Sequence, residues 1–398
     1  MNITVKDVFR QQGTDSNGLS DLLGMIRNES AVTRSDLVAR TGLSRLAVAQ
    51  HLSVLLRSGL IVENGQEAST GGRRRTRFGF NTDAGYVLAF DVGISHARVA
   101  LANLGARIID DVYGELSVDQ GPEIVLSWFT EQAEQLLGQA KVTKNELWGI
   151  GVGLPGPVDV TTGQVVSPPF MTGWDGFPTP EWLRDRFGCP VVVDKDANVM
   201  ALGEHRSNWR EVDELLFLKV GTGVGGGVVI EGKVYHGADG AAGDIGHVPL
   251  HGYGEPTCRC GNVGCVEAIA GGWALARDLA ELGYEISHGV DVALLAKEGN
   301  VDALRAIRRA GRVVGEALAA AVNFYNPEVV VVGGSVARGQ GEFLAGIRET
   351  VYRRSLTLAT RKLSIVSSGL EEKAGIVGCA HLAIERALTP GVLAARIK

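Results

Sequence analysis

Three cysteines, Cys258, Cys260 and Cys265, fall within eight positions, with Gly261 and Gly264 between them. Thiolates spaced this closely can surround one metal ion, and His247, eleven residues earlier, can complete a tetrahedral set. The glycines let the loop fold round the ion. Four protein ligands leave no open coordination position, so a zinc ion on His247, Cys258, Cys260 and Cys265 is expected to be structural rather than catalytic. Clustered cysteines in a reducing compartment read as metal ligands, not disulfides. Cys189 and Cys379 stand alone in apolar surroundings and read as buried, unreactive thiols.

A second group of chemistry-bearing residues sits at the ends of apolar strands. The run at 86–90 leads into Asp91-Val92-Gly93-Ile94-Ser95, where an acid, a glycine and a hydroxyl in one turn can hold a phosphate-bound metal. The run at 147–152 enters Gly153-Leu154-Pro155-Gly156-Pro157-Val158-Asp159. The run at 191–194 delivers Lys195-Asp196-Ala197-Asn198 to a strand's C-terminal end, where open α/β sheets bind ligands. The run at 215–220 enters Gly221-Thr222-Gly223-Val224-Gly225-Gly226-Gly227, read as a loop that lets phosphates approach the backbone. The run at 329–332 leads into Gly333-Gly334-Ser335. One such turn is an ordinary hairpin. The collection, two strand sets each with a glycine turn, fits two similar lobes around a cleft.

The N-terminal stretch carries different chemistry. Residues 1–80 hold 11 Lys and Arg against 7 Asp and Glu, whereas the remainder holds 28 against 38. A basic segment on an acidic body suits a nucleic-acid reader coupled to another module. Apolar residues at helical spacing predict a helix over 19–28. Thr33 or Ser35 can cap a second helix that stops at Thr41-Gly42, and Ser44 can cap a third that stops at Ser58-Gly59. This is the helix-turn-helix layout, with Leu43 and Val48 pinning the third helix on the second. Arg45, Ala49, Gln50 and Ser53, beside Ser44, face away from that core, and Arg and Gln there can reach base edges in a major groove. A strand at 60–63, a turn at Asn64-Gly65 and a returning strand at 76–80 form a wing whose tip carries Arg73, Arg74 and Arg75 for phosphates or the minor groove.

These elements organise a chain of 398 residues, long enough for several buried cores. The expected division is a mobile segment at 1–18, a winged helix-turn-helix at 19–82 and an α/β body at 83–398, its zinc loop at 247–265. Neither a leader sequence nor an apolar run of bilayer length is read, so a soluble, cytoplasmic protein without membrane attachment is expected.

From Asp91 onward the residues resemble the ROK family (repressors, open reading frames and kinases), within the actin-like ATPase fold. The resemblance rests on Gly-Leu-Pro-Gly-Pro-Val-Asp at 153–159, Asp-Ala-Asn at 196–198, the run from Leu218 through Gly246-His247, and Cys-x-Cys-Gly-x-x-Gly-Cys-x-Glu at 258–267. With the N-terminal module it points to the sugar-responsive repressor branch, which includes xylose and N-acetylglucosamine repressors. It implies a two-lobed sugar-kinase fold behind a winged helix. It further implies that Asp196 matches the kinase base, and that Asp244, His247 and Glu267 match sugar-hydroxyl partners, with Gly156 and Lys195 beside them. Asp91, Gly93, Ser95, Gly221, Thr222 and Gly223 match the phosphate loops, and Gly333 and Gly334 the nucleotide side.

The chain departs from the family's kinases at Lys195, where they carry Asn, at the shorter Asp244 in place of Glu, and at Ser95 in place of Thr. Lysine only donates hydrogen bonds, and its charge can pair with Asp196 or turn to solvent. These departures favour a sensor: a dimer or tetramer that binds a pseudo-palindromic operator in double-stranded DNA and responds to a sugar or sugar derivative. The alternative is a bifunctional sugar kinase using ATP and Mg, with Asp196 catalytic.

Overall fold

The computed structural model describes residues 16–28, 32–66, 75–338 and 341–397. The N-terminal module comprises α1 (Ser16–Asn28), β1 (Val32–Thr33), α2 (Arg34–Thr41), α3 (Arg45–Arg57), β2 (Ile61–Gln66) and β3 (Thr76–Phe80). Ser16, Asn17 and Gly18 are the first turn of α1 rather than part of the N-terminal segment expected from sequence. Thr33 begins α2 with a capping box: its hydroxyl accepts from the Asp36 N–H at 3.3 Å, and the Asp36 carboxylate accepts from the Thr33 N–H at 2.9 Å. Gly42 ends α2 at φ +67°, a conformation that costs glycine nothing. Ser44 caps α3, accepting from the Ala47 N–H at 3.1 Å.

The wing differs from its sequence reading in one respect. Asn64-Gly65 is not the turn; it lies inside β2, where the pairing with β3 slips by one residue between Glu63 and Gln66. Gly65 sits at φ +80°, so the dipeptide makes a bulge and the strand runs on. The expected tip residues Arg73 and Arg74 fall outside the described residues. A two-residue strand, β1, pairs with β3 and completes the sheet in the order β1-β3-β2.

The body contains β4 (Tyr86–Val92), β5 (Ala97–Asn103), β6 (Ile108–Gly114), α4 (Pro122–Ala140), β7 (Leu147–Leu154), α5 (Thr179–Phe187), β8 (Val191–Lys195) and α6 (Asp196–Asn208). The second half contains β9 (Leu215–Val220), β10 (Val224–Ile230), β11 (Lys233–Tyr235), α7 (Val266–Ala270), α8 (Gly272–Glu281), α9 (Gly289–Lys297) and α10 (Val301–Tyr325). It closes with β12 (Val329–Gly333), α11 (Gly341–Arg354), α12 (Thr357–Thr360), β13 (Ser364–Ser367), α13 (Ala374–Ala387) and α14 (Pro390–Arg396). The two sheets repeat one layout. β6-β5-β4-β7-β8 and β11-β10-β9-β12-β13 each join three antiparallel strands to two parallel ones. The parallel strands β7 and β12 are buried along their whole length, as central strands covered on both faces must be.

The lobes meet through two helices. α13 lies on β4 and β7, α6 lies on β9 and β10, and the helices pack on each other. Their approach requires glycine. A Cβ on Gly378 would sit 1.7 Å from the Val199 carbonyl oxygen, and one on Gly151 of β7 would sit 2.0 Å from that of Cys379. The winged module is not a loose appendage. Leu19, Leu22 and Ile26 of α1 share one apolar core with Ala383, Ile384 and Leu393 of α13 and α14, and the Ser20 hydroxyl donates to the Leu388 carbonyl at 2.9 Å. No single helix among the described residues is long and apolar enough to cross a membrane.

His381 of α13 is buried, its Nδ1 has no hydrogen-bond partner, and burial pulls its pKa down to about 3. The folded state therefore holds it neutral while the unfolded chain protonates it, so its stability contribution is lost as pH falls from about 6.5. Between pH 7 and pH 5 this loss amounts to about 2 kcal/mol. His381→Leu is expected to show a smaller drop in melting temperature over that range than the parent. Equal drops would show that the imidazole is not held neutral.

Candidate functional site

A cleft of about 650 Å³ opens between the lobes where the strand ends converge. Asp91 leaves β4, Gly156 follows β7, Lys195 closes β8, Asp196 opens α6, Lys219 stands near the end of β9, and Gly333-Gly334 end β12. Asp244, His247 and Glu267 enter from the loops and short helix after β11. All fourteen residues that sequence and resemblance assigned to ligand and phosphate contacts line this one cleft, including Gly93, Ser95, Gly221, Thr222 and Gly223.

The floor is an electrostatic cluster. The Lys219 ammonium pairs with the Asp196 carboxylate, whose other oxygen accepts from the Ala197 N–H at 2.6 Å. Burial works against the Lys219 charge, but Asp196 and Asp91 outweigh it and its pKa ends above the ordinary lysine value. Burial pushes the Asp91 carboxyl up to about 6, against the pull of Lys219. Burial also draws His96 down to about 4, with Lys219 adding to the effect, so this ring is neutral.

Lys195 does not pair with Asp196, nor does it turn to solvent. It is 6% exposed, and its ammonium donates to Asp244 at 2.7 Å and to the Ala242 carbonyl at 2.9 Å. At a strand-to-helix junction, adjacent side chains leave in different directions. Asp196 turns to β9 and Lys195 to the loop before His247. Asp194 secures the junction: it accepts from the Lys195 N–H at 2.7 Å and the Asn198 amide at 2.8 Å. It also pairs with His236 at 2.7 Å, which raises that imidazole's pKa.

The glycine run after β9 is shorter as a loop than its sequence suggests. Only Gly221-Thr222-Gly223 turns; Gly225, Gly226 and Gly227 belong to β10. There they make room for packing, since a Cβ on Gly227 would meet the Ala197 carbonyl oxygen at 2.3 Å. Glu267, in the first turn of α7, is buried and accepts from the Val224 N–H at 3.0 Å. A Cβ on Gly223 would stand 2.2 Å from that carboxylate, so the turn packs directly on Glu267 of the same lobe.

One candidate metal donor atom each from His247, Cys258, Cys260 and Cys265 lies within 4.8 Å of the others. The Cys260 and Cys265 sulfurs are 3.8 Å apart, close to the edge of about 3.8 Å expected for a tetrahedron with 2.3 Å metal–sulfur bonds. His247 Nδ1 stands 3.8 Å from the Cys258 sulfur. Without a cation, burial pushes the Cys258 thiol up and the Cys265 thiol up to about 12. A divalent ion binding thiolates supplies the missing compensation, so the donor set fits a closed tetrahedral metal site. Cys189 and Cys379 are buried and lie apart from it; burial raises Cys189 to about 11 and Cys379 well above its ordinary value.

The second candidate surface is α3. Val48, His51, Leu52 and Leu55 are buried, while Arg45 and Ser53 are exposed and Ala49 and Gln50 half-buried. Positions 45, 49 and 53 lie on one line of the helix with 50 beside it, and Ser44 caps that end. Leu46, which sequence reasoning passed over, is 69% exposed on the same first turn. Arg75 is exposed just before β3.

Several cleft residues escaped the sequence reading. Lys219 carried a usable signal, as the single charge in the apolar strand Leu215-Leu216-Phe217-Leu218-Lys219-Val220. Arg98, Arg338, Arg259 and Phe170 also line the cleft, and no local motif marks them.

The sequence profile of the ROK family matches residues 87–386. A xylose repressor of Caldicellulosiruptor bescii is 30% identical over 92% of this chain and 95% of its own length. A glucokinase of Thermotoga maritima is 32% identical over 75% of this chain and 98% of its own length. Among solved structures, a ROK family transcriptional regulator described as a homolog of the E. coli MLC protein superposes with a TM-score of 0.81 at 25% identity, covering 96% of this chain and 99% of that one. The two regulators cover nearly the whole chain, the kinase three-quarters of it.

The cysteine–histidine geometry predicts one tetrahedrally bound divalent metal per chain. Native mass spectrometry should find it in the parent and not in Cys265→Ser, with a lowered melting temperature in the variant. A parent that is metal-free after expression in metal-replete medium, and equally stable with a chelator, would contradict the assignment.

Proposed function

The chain belongs to the ROK family, and from that premise we propose that it is a sugar-responsive transcriptional repressor whose cleft senses a ligand instead of phosphorylating it. The observation that carries this reading is the Lys219–Asp196 ion pair on the cleft floor. Asp196 occupies the position of the family's kinase base. To take a proton from a sugar hydroxyl it would have to leave the half-buried Lys219 ammonium without its counter-charge, which is unfavourable.

The sensor reading assigns roles to the rest of the cleft. Asp244, His247 and Glu267 hold the sugar's hydroxyls, with Lys195 and Gly156 at its edge. A zinc ion on His247, Cys258, Cys260 and Cys265 keeps that wall rigid, fixing the imidazole by one ring nitrogen so that the other faces the ligand. The winged helix presents Arg45, Ala49, Gln50 and Ser53 to the major groove, and Arg75, with Arg73 and Arg74, to the backbone or minor groove. A homodimer on a pseudo-palindromic operator supplies the contact area that one such module lacks.

A physical connection supports coupling between the two sites. α6 begins with Asp196 and carries Arg206 in its last turn, where the guanidinium donates to Glu385 of α13 at 2.8 Å. Glu385 lies near Arg27 of α1: burial pulls the Arg27 pKa down, and Glu385 pushes it back up. The helix that opens at the cleft therefore ends against groups that seat the DNA-reading module. Ligand binding that favours one arrangement of the lobes shifts the module with it.

The second reading, a sugar kinase that also regulates, draws on the likeness to glucokinases and on the intact glycine turns. With ATP and Mg bound, Asp91 and the turns at 221–223 and 333–334 would hold the phosphates and the metal that assists phosphoryl transfer.

Fluorescence anisotropy on a duplex selected by the chain from random DNA tests the proposal. Arg45→Ala should weaken binding about tenfold or more, the loss expected for one base-edge contact. Asp196→Asn should bind that duplex as the parent does, yet need at least tenfold more sugar for release. Release at the parent's sugar concentration would remove Asp196 from the sensing site.

A further inference from the structure

The sugar side of the cleft sets cationic donors directly against its acidic residues. Asp244 and Asp196 could each accept hydrogen bonds from sugar hydroxyls, and each is also paired with a lysine, Asp244 with Lys195 and Asp196 with Lys219. Glu267 already accepts from the Val224 N–H. The cationic donors keep free N–H groups as well. An ammonium has three N–H groups; Lys195 uses two, on Asp244 and Ala242, and Lys219 uses one.

Arg259, exposed at the mouth of the cleft, adds a cation without a carboxylate partner among the described residues. It projects into the cleft from the metal loop, between Cys258 and Cys260, and among the described residues no carboxylate lies within ion-pair distance of it. Its guanidinium stands 4.8 Å from the Trp273 ring centre and 5.8 Å from that of Phe170. Trp273 belongs to α8 in its own lobe, whereas Phe170 belongs to the loop after β7 in the other. The arginine thus bridges the cleft mouth and is held by aromatic faces, which orient its N–H groups without neutralising them. The other arginines of the cleft are paired, Arg98 with Asp111 and Arg338 with Glu372.

We propose that the ligand is an anionic sugar, bearing a carboxylate or a phosphate, whose charged group is received by Arg259 at the mouth of the cleft. This rests on the sensor reading above and narrows its ligand class. A neutral sugar leaves the guanidinium and the spare ammonium protons facing water. An anionic group uses them in charge-assisted bonds and gives the arginine a ligand partner at the seam between the lobes. Closure is then tied to the ligand's charge as well as its ring.

Isothermal titration of the metal-loaded full chain with D-glucose, D-glucuronate and D-glucose 6-phosphate tests the proposal and separates carboxylate from phosphate. At least one anion should bind tenfold or more tightly than D-glucose. In Arg259→Gln that ratio should fall toward one, and Arg259→Lys should restore part of it. Metal content and operator affinity, measured on each variant, establish that the loop and fold are intact. A parent that binds D-glucose as tightly as both anions, or an Arg259→Gln chain that keeps the anion preference, overturns the proposal. If D-glucose releases the operator and neither anion does, the sensor reading stands without it. If no sugar in the set binds or releases the operator, both fall.

Discussion

The cleft depends on a lysine that stands where an apolar strand would otherwise continue. Lys219 places an ammonium beneath two carboxylates, Asp196 and Asp91, at the point where the lobes converge. Its desolvation is offset by those carboxylates, whereas Asp91 stays raised by burial despite the pull of Lys219. Removing one member of such a buried set costs about 3–5 kcal/mol, because the remaining charge is left unpaired. The floor is therefore built round one ammonium shared between two carboxylates, with Asp196 as its direct partner. Lys195 with Asp244 repeats the arrangement on the neighbouring wall. A cleft with the outline of a sugar kinase has two of its carboxylates, Asp196 and Asp244, paired with lysines of the protein itself.

This floor also sits at the start of the element that links the lobes. Asp196 is the first residue of α6, and α6 is pressed against α13 through glycines that bring backbone to backbone. Contacts that close leave little room to slip, so the helix pair is suited to move as one body when the lobes shift. Its far end shares a core with α1 and packs beside α14. The proposed repressor mechanism uses this continuity: occupancy of the cleft biases the angle between lobes, and the winged module follows α13 and α14.

Much of this could be read before the fold was known, for reasons that differ by residue. The metal donors lie in one short loop, where spacing alone limits what they can form. The caps at Thr33 and Ser44 are local hydrogen bonds with a local signature. The strands of the body announced themselves as apolar runs followed by glycine. What could not be read depends on direction and distance. Whether Lys195 would meet Asp196 or Asp244 is decided by how a strand hands over to a helix. Asn64-Gly65 has turn chemistry, yet the strand continues through it because β3 offers pairing beyond the bulge. Gly225, Gly226 and Gly227 looked like phosphate loop but serve the contact of β10 with α6 and the loop at Gly243. Lys219 was visible only as an exception to its strand's pattern, and Arg259 and Phe170 meet only because the lobes do.

The central claim is that this cleft reads its ligand without altering it. The direct measurement is to incubate the operator-bound chain with D-xylose, D-glucose or D-glucuronate in the presence of Mg²⁺ and ATP, then recover each sugar and determine its mass. The account predicts that the sugar which releases the operator comes back unchanged, with no ATP consumed beyond the protein-free rate. A sugar that returns heavier by one phosphoryl group would show that Asp196 gives up Lys219 and acts as a base, and would contradict it.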